Sequence, residues 1–307
     1  VNASGGNVIL TADNGTVFQE QGSSLNGTEL RVTGQSVSLA GNNTFTGSGS
    51  ITATDTESGS IYIGGEQNFD LGASFTGTKI GLDGKVTLGS GDGIFSGNTV
   101  TLGTNANINA TAGSLDFTSS SGDLALDSGS QGTASGDINL AATNGNVIQA
   151  QGSSLKGTNF TVAGQNVTLA GNNTFTGSGS ISAADATNGT VTLGGNQSFA
   201  LGAEVTGNTI TLAGGNITAA SGDINFTGSN VNLQGGTLQG TNINVSGDTI
   251  AVDGTNNFSG STTLSSTQDI KLNSGSVVNA SGDLFFAGNV IQDSGNTINA
   301  QNVSFDN

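Results

Sequence analysis

The chain has 307 residues, of which 52 are glycine and only 33% are hydrophobic, and it contains no proline, cysteine, histidine, methionine or tryptophan. Its formal charge at pH 7 is −17, and its only cations are Arg31, Lys79, Lys85, Lys156 and Lys271. Cations so few and scattered exclude a nucleic-acid backbone or an anionic membrane surface as a partner. Without cysteine, the fold must be held by its core and its backbone hydrogen bonds.

Short apolar triplets recur from the first third of the chain onward, as at Val37-Ser38-Leu39, Ile61-Tyr62-Ile63 and Val100-Thr101-Leu102. Each triplet places two apolar side chains on one face of a strand. Gly, Asn, Ser and Asp lie between the triplets, where they favour turns, and frequent Gly penalises any helix. Disorder would bring high charge, but only 9% of residues are charged, so the pattern predicts an all-β fold.

A longer repeat overlies the triplets. Residues 21–53 (QGSSLNGTELRVTGQSVSLAGNNTFTGSGSITA) and 151–183 (QGSSLKGTNFTVAGQNVTLAGNNTFTGSGSISA) agree at 25 of 33 positions, with an offset of 151 − 21 = 130. We place the long repeats at about 7–136 and 137–282, with a third copy starting near 283, inside a single β-helix segment over 1–307. The sequence therefore reads as part of a tandem array, and we expect it to belong to a longer rod.

In the last third the triplets form three interleaved series with steps of 19 to 21 residues. The series are Ile224, Ile243, Leu264, Leu284, Val303; then Val231, Ile250, Ile270, Val290; then Leu238, Phe258, Val277, Ile298. Three short strands in each turn of about 20 residues are what a three-sided solenoid needs. The spacing therefore predicts a parallel β-helix whose interior holds stacked apolar residues and whose turns carry ladders of Asn.

Several motifs carry a family resemblance. They are Gly-Asp-Ile-Asn-Leu (136–140), Gly-Asp-Ile-Asn-Phe (222–226), Gly-Asp-Leu-Phe-Phe (282–286) and Val-Thr-Leu-Ala-Gly-Asn-Asn (167–173). With them the chain resembles, along essentially its whole length, the filamentous-haemagglutinin-like exoproteins of two-partner secretion. The resemblance implies a right-handed β-helical shaft that an outer-membrane partner exports to the cell surface or the medium.

Family roles include adhesion, biofilm scaffolding and carriage of a contact-dependent toxin. We expect this chain to be the structural shaft of a bacterial surface adhesin. The alternatives are the stalk of a contact-dependent inhibition toxin and a shaft that itself binds host-cell or matrix glycans. Lateral self-association into a biofilm matrix is a further hypothesis.

The residue types argue against an enzyme and against a cofactor or metal site. With no His and no Cys, the chain lacks an imidazole base, a thiol nucleophile and a zinc ligand set. A carboxylate pair would suffice for a glycosidase, but the copy of Asp55 and Glu57 at 185–187 keeps only Asp185. Asp248 and Asp269 are expected to point to different faces, and the counterpart of Arg31 is Thr161. We predict no catalytic residue.

The Gly-Asp turns at Asp123, Asp137, Asp223 and Asp283 could bind calcium through their carboxylate oxygens if they aligned across coils. The fixed offsets of calcium-binding β-rolls do not recur, so we expect each Asp to favour a tight turn or to accept local backbone N–H bonds.

The aromatic residues suggest a core role. Phe45 and Phe175 occupy the same place in the long repeats, as do Phe69 and Phe199. We expect them to stack in the interior, since exposed sugar platforms more naturally use Trp or Tyr and the chain has only Tyr62. Thr192 and Thr211 are predicted to be isolated, without a long Thr-x-Thr ladder, which disfavours an ice-binding face.

Overall fold

The computed structural model describes residues 1–306, and within them it has no helix. It is all-β, a parallel β-solenoid with about 21 residues per turn, as the sequence predicts. Contacts divide the chain into two compact units, one at Val1–Thr158 and the other starting at Asn159. The right-handed sense of the coil remains a prediction from the family resemblance.

The first unit contains 19 of the strands. They are β1 (Val8–Gln19), β2 (Asn26–Gly27), β3 (Leu30–Leu39), β4 (Asn43–Phe45), β5 (Gly49–Ala53), β6 (Ser60–Ile63), β7 (Glu66–Phe69), β8 (Ala73–Thr76), β9 (Lys79–Leu82), β10 (Lys85–Leu88), β11 (Gly93–Gly97), β12 (Thr99–Leu102), β13 (Asn107–Ala110), β14 (Leu115–Ser119), β15 (Leu124–Leu126), β16 (Gln131–Ala134), β17 (Ile138–Ala142), β18 (Val147–Gln149) and β19 (Ser154–Gly157).

The second unit contains the strands β20 to β34, among which β30 runs through several corners without a break. They are β20 (Phe160–Gly164), β21 (Val167–Leu169), β22 (Asn172–Phe175), β23 (Ser178–Ala183), β24 (Thr190–Leu193), β25 (Asn196–Phe199), β26 (Gly202–Thr206), β27 (Thr209–Leu212), β28 (Asn216–Ala219), β29 (Ile224–Thr227), β30 (Asn230–Leu272), β31 (Val277–Ala280), β32 (Leu284–Gln292), β33 (Thr297–Asn299) and β34 (Val303–Asp306).

The strands of each unit stack in parallel into three faces. In the first unit, face A holds the start of β3 and then β5, β8, β11, β14 and β17. Face B holds the end of β3 and then β6, β9, β12, β15 and β18. Face C holds β2, β4, β7, β10, β13, β16 and β19. In the second unit the faces begin with β20, β21 and β22, and continue through β23, β24 and β25.

The interior is filled by stacks of like side chains, because residues in register on successive coils lie one strand spacing apart. The ring of Phe95 stacks on Phe75 at 4.7 Å and on Phe117 at 4.8 Å. Phe45 and Phe69 stack at 5.6 Å, and Phe175 and Phe199 at 5.8 Å. These last four rings are buried, so the prediction that they belong to the core is confirmed.

The same coil lengths recur 130 residues apart. The partner of Leu30 one coil on is Gly49, and the partner of Gly49 is Ala73, steps of 49 − 30 = 19 and 73 − 49 = 24 residues. The partner of Phe160 is Gly179, and that of Gly179 is Ala203, again steps of 179 − 160 = 19 and 203 − 179 = 24. At Gly49 and Gly179 a Cβ would strike the ring of Phe69 or Phe199. Glycine at these two positions therefore makes room for the stacked rings.

The predicted series in the last third are wrong by one or two residues at three positions. Thr262, not Leu264, pairs with Leu284. Val278, not Val277, pairs with Asn256, while Phe258 pairs with Ala280. Thr262 and Asn256 are polar yet buried. A search for apolar residues passes over them and selects the next inward side chain along the strand.

Polar side chains also occupy the interior where faces B and C meet. Asn43 is buried between Gln19 and Gln67. Its amide donates to Gln19 Oε1 at 2.8 Å and to Gln67 Oε1 at 2.7 Å, and its Oδ1 accepts from Gln19 Nε2 at 2.7 Å. Asn43 Oδ1 also accepts the Leu25 N–H at 2.8 Å. We call Gln19, Asn43 and Gln67 the buried amide triad.

Asn43→Leu is expected to destabilise the protein by about 3 kcal/mol or more, because each buried polar group left without a partner costs roughly 1–3 kcal/mol. The measurement is the urea concentration at the unfolding midpoint, followed by circular dichroism.

Thr44→Ala is the matched control, since the neighbouring Thr44 is exposed and surface changes alter stability by roughly 0.5 kcal/mol or less. A midpoint for Asn43→Leu equal to that of the control would show that the triad does not stabilise the fold.

Candidate functional site

The outer surface of the coils carries polar side chains that bond from one coil to the next. On strands β30, β31 and β33 of the second unit, Asn299 Nδ2 donates to Asn279 Oδ1 at 2.8 Å, and Asn279 Nδ2 donates to Asn257 Oδ1 at 2.9 Å. The three residues pair in register on successive coils. An Asn ladder between coils is therefore present, but on strands and not at the turns where it was predicted.

Aspartates at the corners accept hydrogen bonds from the following coil. Asp123 Oδ1 accepts the N–H of Asn146 at 2.8 Å and its Nδ2 at 2.9 Å. Asp223 accepts the same two groups of Asn242 at 3.1 and 2.9 Å. Each pair fastens one corner to the next, because a charged acceptor strengthens a hydrogen bond.

The expectation of local N–H bonds is corrected at Asp123, Asp223 and Asp283, whose carboxylates accept from the next coil. The partners of Asp123 and Asp223 lie 23 and 19 residues away, one coil on. Asp283 accepts Asn302 Nδ2 at 2.7 Å, again from the next coil, and the N–H of Asp137 donates to Ser114 Oγ at 3.1 Å. Local sequence does not reveal such partners, because the coil brings them together from afar. Within residues 1–306, no group of three or more acidic, His or Cys side chains could hold a metal ion.

The acid pairs considered for a glycosidase are occupied by other partners. Asp248 Oδ1 accepts the hydroxyl of Thr267 at 2.8 Å. Asp269 Oδ1 accepts Asn289 Nδ2 at 2.8 Å, and its other oxygen lies 4.0 Å from Lys271 Nζ. The two aspartates thus belong to separate hydrogen-bonded groups.

Asp55 closes a turn of its own chain segment. Its Oδ2 accepts the Ser58 hydroxyl at 2.6 Å, and its Oδ1 accepts the N–H of Glu57 at 2.9 Å and of Ser58 at 3.1 Å. These bonds, with that of the Ser58 hydroxyl the strongest, lower the pKa of Asp55 below its ordinary value. A glycosidase general acid needs the opposite direction, a raised pKa.

The counterpart turn at Asp185 lacks the hydroxyl. Its carboxylate accepts the N–H of Thr187 at 2.9 Å and of Asn188 at 3.0 Å, and these bonds also lower its pKa. Arg31 forms an exposed ion pair with Glu29, with Nη2 and Oε2 3.4 Å apart. Such a pair contributes little to stability.

The threonines judged isolated in the sequence are adjacent in the structure. Thr192 pairs in register with Thr168 on one side and with Thr211 on the other. Thr190 pairs with Thr209 in the same two strands. The expectation of isolation was wrong, because pairs separated by 19 or 24 residues become neighbours only through coiling. The array remains short, since the next coil places Asn232 opposite Thr211.

Comparison with protein-family models, with curated proteins and with solved structures finds no match to this chain. Across residues 1–306 there is also no helix of the length and apolarity that crossing a membrane requires.

Ser58→Ala is expected to raise the pKa of Asp55 toward its ordinary value, because the strongest of the bonds to its charged form is removed. Since the folded pKa is lowered, the turn's stabilisation is present above the unfolded pKa and is lost as pH falls through the folded value. Carboxylate ¹³C NMR titration measures the pKa of Asp55 and the pKa of Asp185 in the folded protein. The pKa of Asp185 should not change in this variant, and an unchanged pKa of Asp55 would contradict the assignment.

Proposed function

We propose that the chain is the structural shaft of a bacterial surface adhesin of the filamentous-haemagglutinin type, and that it is not an enzyme. The observation that carries the proposal is the bonding of successive coils, inside and out, at equivalent places in both long repeats. Asn43 and Gln67 bond at 2.7 Å in the first unit, and Asn173 and Gln197 bond at 2.8 Å in the second, with 173 − 43 = 130. A unit that can be repeated in this way without altering its coil contacts suits a spacer.

The surface chemistry supports a spacer in two further ways. A charge of −17 favours solubility and opposes casual association. Outward Asn, Ser and Thr side chains bond to neighbours on the next coil at many places, as in the Asn257, Asn279 and Asn299 ladder. Side chains that stabilise coil stacking add to the stiffness that a projecting shaft needs.

The proposed location is the bacterial cell surface or the medium, reached through an outer-membrane secretion partner. A fold without cysteine that forms by adding coils suits passage across a membrane as an extended chain. An antibody raised against residues 1–307 is expected to label intact cells of the source organism, and protease added outside should remove the label. Labelling that requires permeabilised cells would contradict this location.

The toxin stalk and lateral self-association stay open as alternatives within the same architecture. The stalk predicts a toxin domain in the same gene, and self-association predicts bundling that increases with protein concentration.

The 130-residue offset provides a direct test of the spacer. Removing residues 21–150 joins Glu20 to Gln151, the equivalent of Gln21. Because the deletion removes one whole repeat period, we expect the shortened chain to fold with its coil register intact. In the surface protein, it is expected to reach the cell surface while adhesion of whole cells weakens.

The control removes residues 21–145, a deletion of 125 residues that breaks the register between coils. It is expected to unfold at a lower urea midpoint than the register-preserving variant, because residues 1–20 no longer align with the coil that follows them. Undiminished adhesion by the register-preserving variant, displayed at the parent's level, would overturn the spacer role.

A further inference from the structure

The only tyrosine of the chain lies on the outer surface of face B. Tyr62 is 44% exposed, and the residue in register with it one coil on is Gly81. A Cβ on Gly81 would lie 3.8 Å from Tyr62 Cδ2, and one on Gly64 would lie 2.7 Å from Tyr62 Cε1. The ring therefore lies over two glycine backbones, which leave it space on the strand surface.

The ring borders a groove that crosses several coils. The groove has a volume of about 330 Å³. Its lining residues come from the strands and turns of successive coils of face B, and we call it the Tyr62 groove: Tyr62, Gly81, Asp83, Thr101, Thr104 and Asp127. From the coil of Tyr62 to that of Asp127 is three coil steps of about 4.8 Å, or ~14 Å in all. That length suits an oligomeric ligand better than a single small ring.

The groove combines three kinds of recognition group. Tyr62 offers an aromatic surface that can pack against an apolar ring face while its hydroxyl stays in water. Thr101 and Thr104 supply hydroxyls that donate and accept hydrogen bonds, and Asp83 and Asp127 supply carboxylate acceptors. A few polar groups converging beside an apolar platform are the usual composition of a small-molecule site.

The charges around the groove restrict the ligand. Two carboxylates without a cation in the lining disfavour an anionic ligand such as a sialylated or sulfated glycan. Part of the acceptor capacity of Asp83 is already used, because its Oδ1 accepts the N–H of Asn105 at 3.1 Å and its Nδ2 at 3.2 Å. Lys79 also stands on the same strand as Gly81, two residues before it. The positive charge of Lys79 favours a neutral, hydroxyl-rich ligand over a cation.

We propose that the Tyr62 groove binds a neutral oligosaccharide, with one sugar ring packed on Tyr62 and its hydroxyls bonded to the acids and threonines. This site goes beyond the spacer role and does not depend on it. The deletion of residues 21–150 removes the groove as well as the shaft length, so Tyr62→Thr in the full-length surface protein separates the two: it removes the site and keeps the length. The second long repeat lacks the site, because the equivalent position, 62 + 130 = 192, is Thr192.

The test screens the whole chain on an array of neutral, sialylated, sulfated and amino-group-bearing oligosaccharides. Binding of the neutral sugars cellotriose, maltotriose and triacetylchitotriose is then measured by calorimetric titration. Tyr62→Thr is the key variant, because the second repeat already accommodates threonine at this position. We expect it to weaken neutral-oligosaccharide binding about tenfold or more, as expected for loss of an aromatic anchor. Tyr62→Phe keeps the ring and should stay within about threefold of the parent chain.

Thr192→Ala is the matched control and should not alter binding, and all variants should share the parent's unfolding midpoint. Weakening by Tyr62→Thr alone would support the site. The proposal is overturned if no neutral oligosaccharide binds, if Tyr62→Thr binds as the parent does, or if only anionic or amine-bearing ligands bind.

Discussion

The fold depends on one constraint. The backbone of each coil must hydrogen-bond to the coils on either side, and its inward side chains must pack against theirs. Parallel strands in register place equivalent residues about 4.8 Å apart. Whatever occupies an inward position must therefore pack against what stands there one coil away. Stacked rings such as Phe75, Phe95 and Phe117 satisfy that requirement with dispersion contacts alone. The absence of proline agrees with it, because proline would remove a donor from a ladder.

The same constraint explains why amides can be buried here. An isolated buried amide leaves polar groups without partners. In a solenoid, an amide at Asn43 meets another at Gln67 on the next coil, and both groups bond. In the buried amide triad, polar side chains thus stack on polar ones, as the phenylalanine rings stack on one another. The outer Asn257, Asn279 and Asn299 ladder shows the same stacking on the surface.

The sequence predicts the strand period, the parallel stacking and the buried phenylalanines, because these depend on residue spacing alone. It misplaces the interior wherever a polar residue faces inward, as at Asn256 and Thr262, since hydrophobicity cannot identify such positions. It also misses partners that coiling creates, such as Asn146 for Asp123 and Thr211 for Thr192. The Tyr62 groove belongs to this second group, although a lone tyrosine one coil from a glycine is a signal that register analysis could have found.

The two long repeats show which positions of such a chain can vary in sequence. Within the 33 matched positions, eight differ (33 − 25), and only the Leu30 and Phe160 pair is buried. That exchange stays apolar, and Phe160 stacks on Phe175 at 4.5 Å. The other seven lie at the surface or are half-buried, including Arg31 and Thr161. Coil stacking therefore fixes the interior and leaves the outer positions free to vary. The outward position occupied by Tyr62 in one repeat and Thr192 in the other is where a recognition site can arise without cost to the fold.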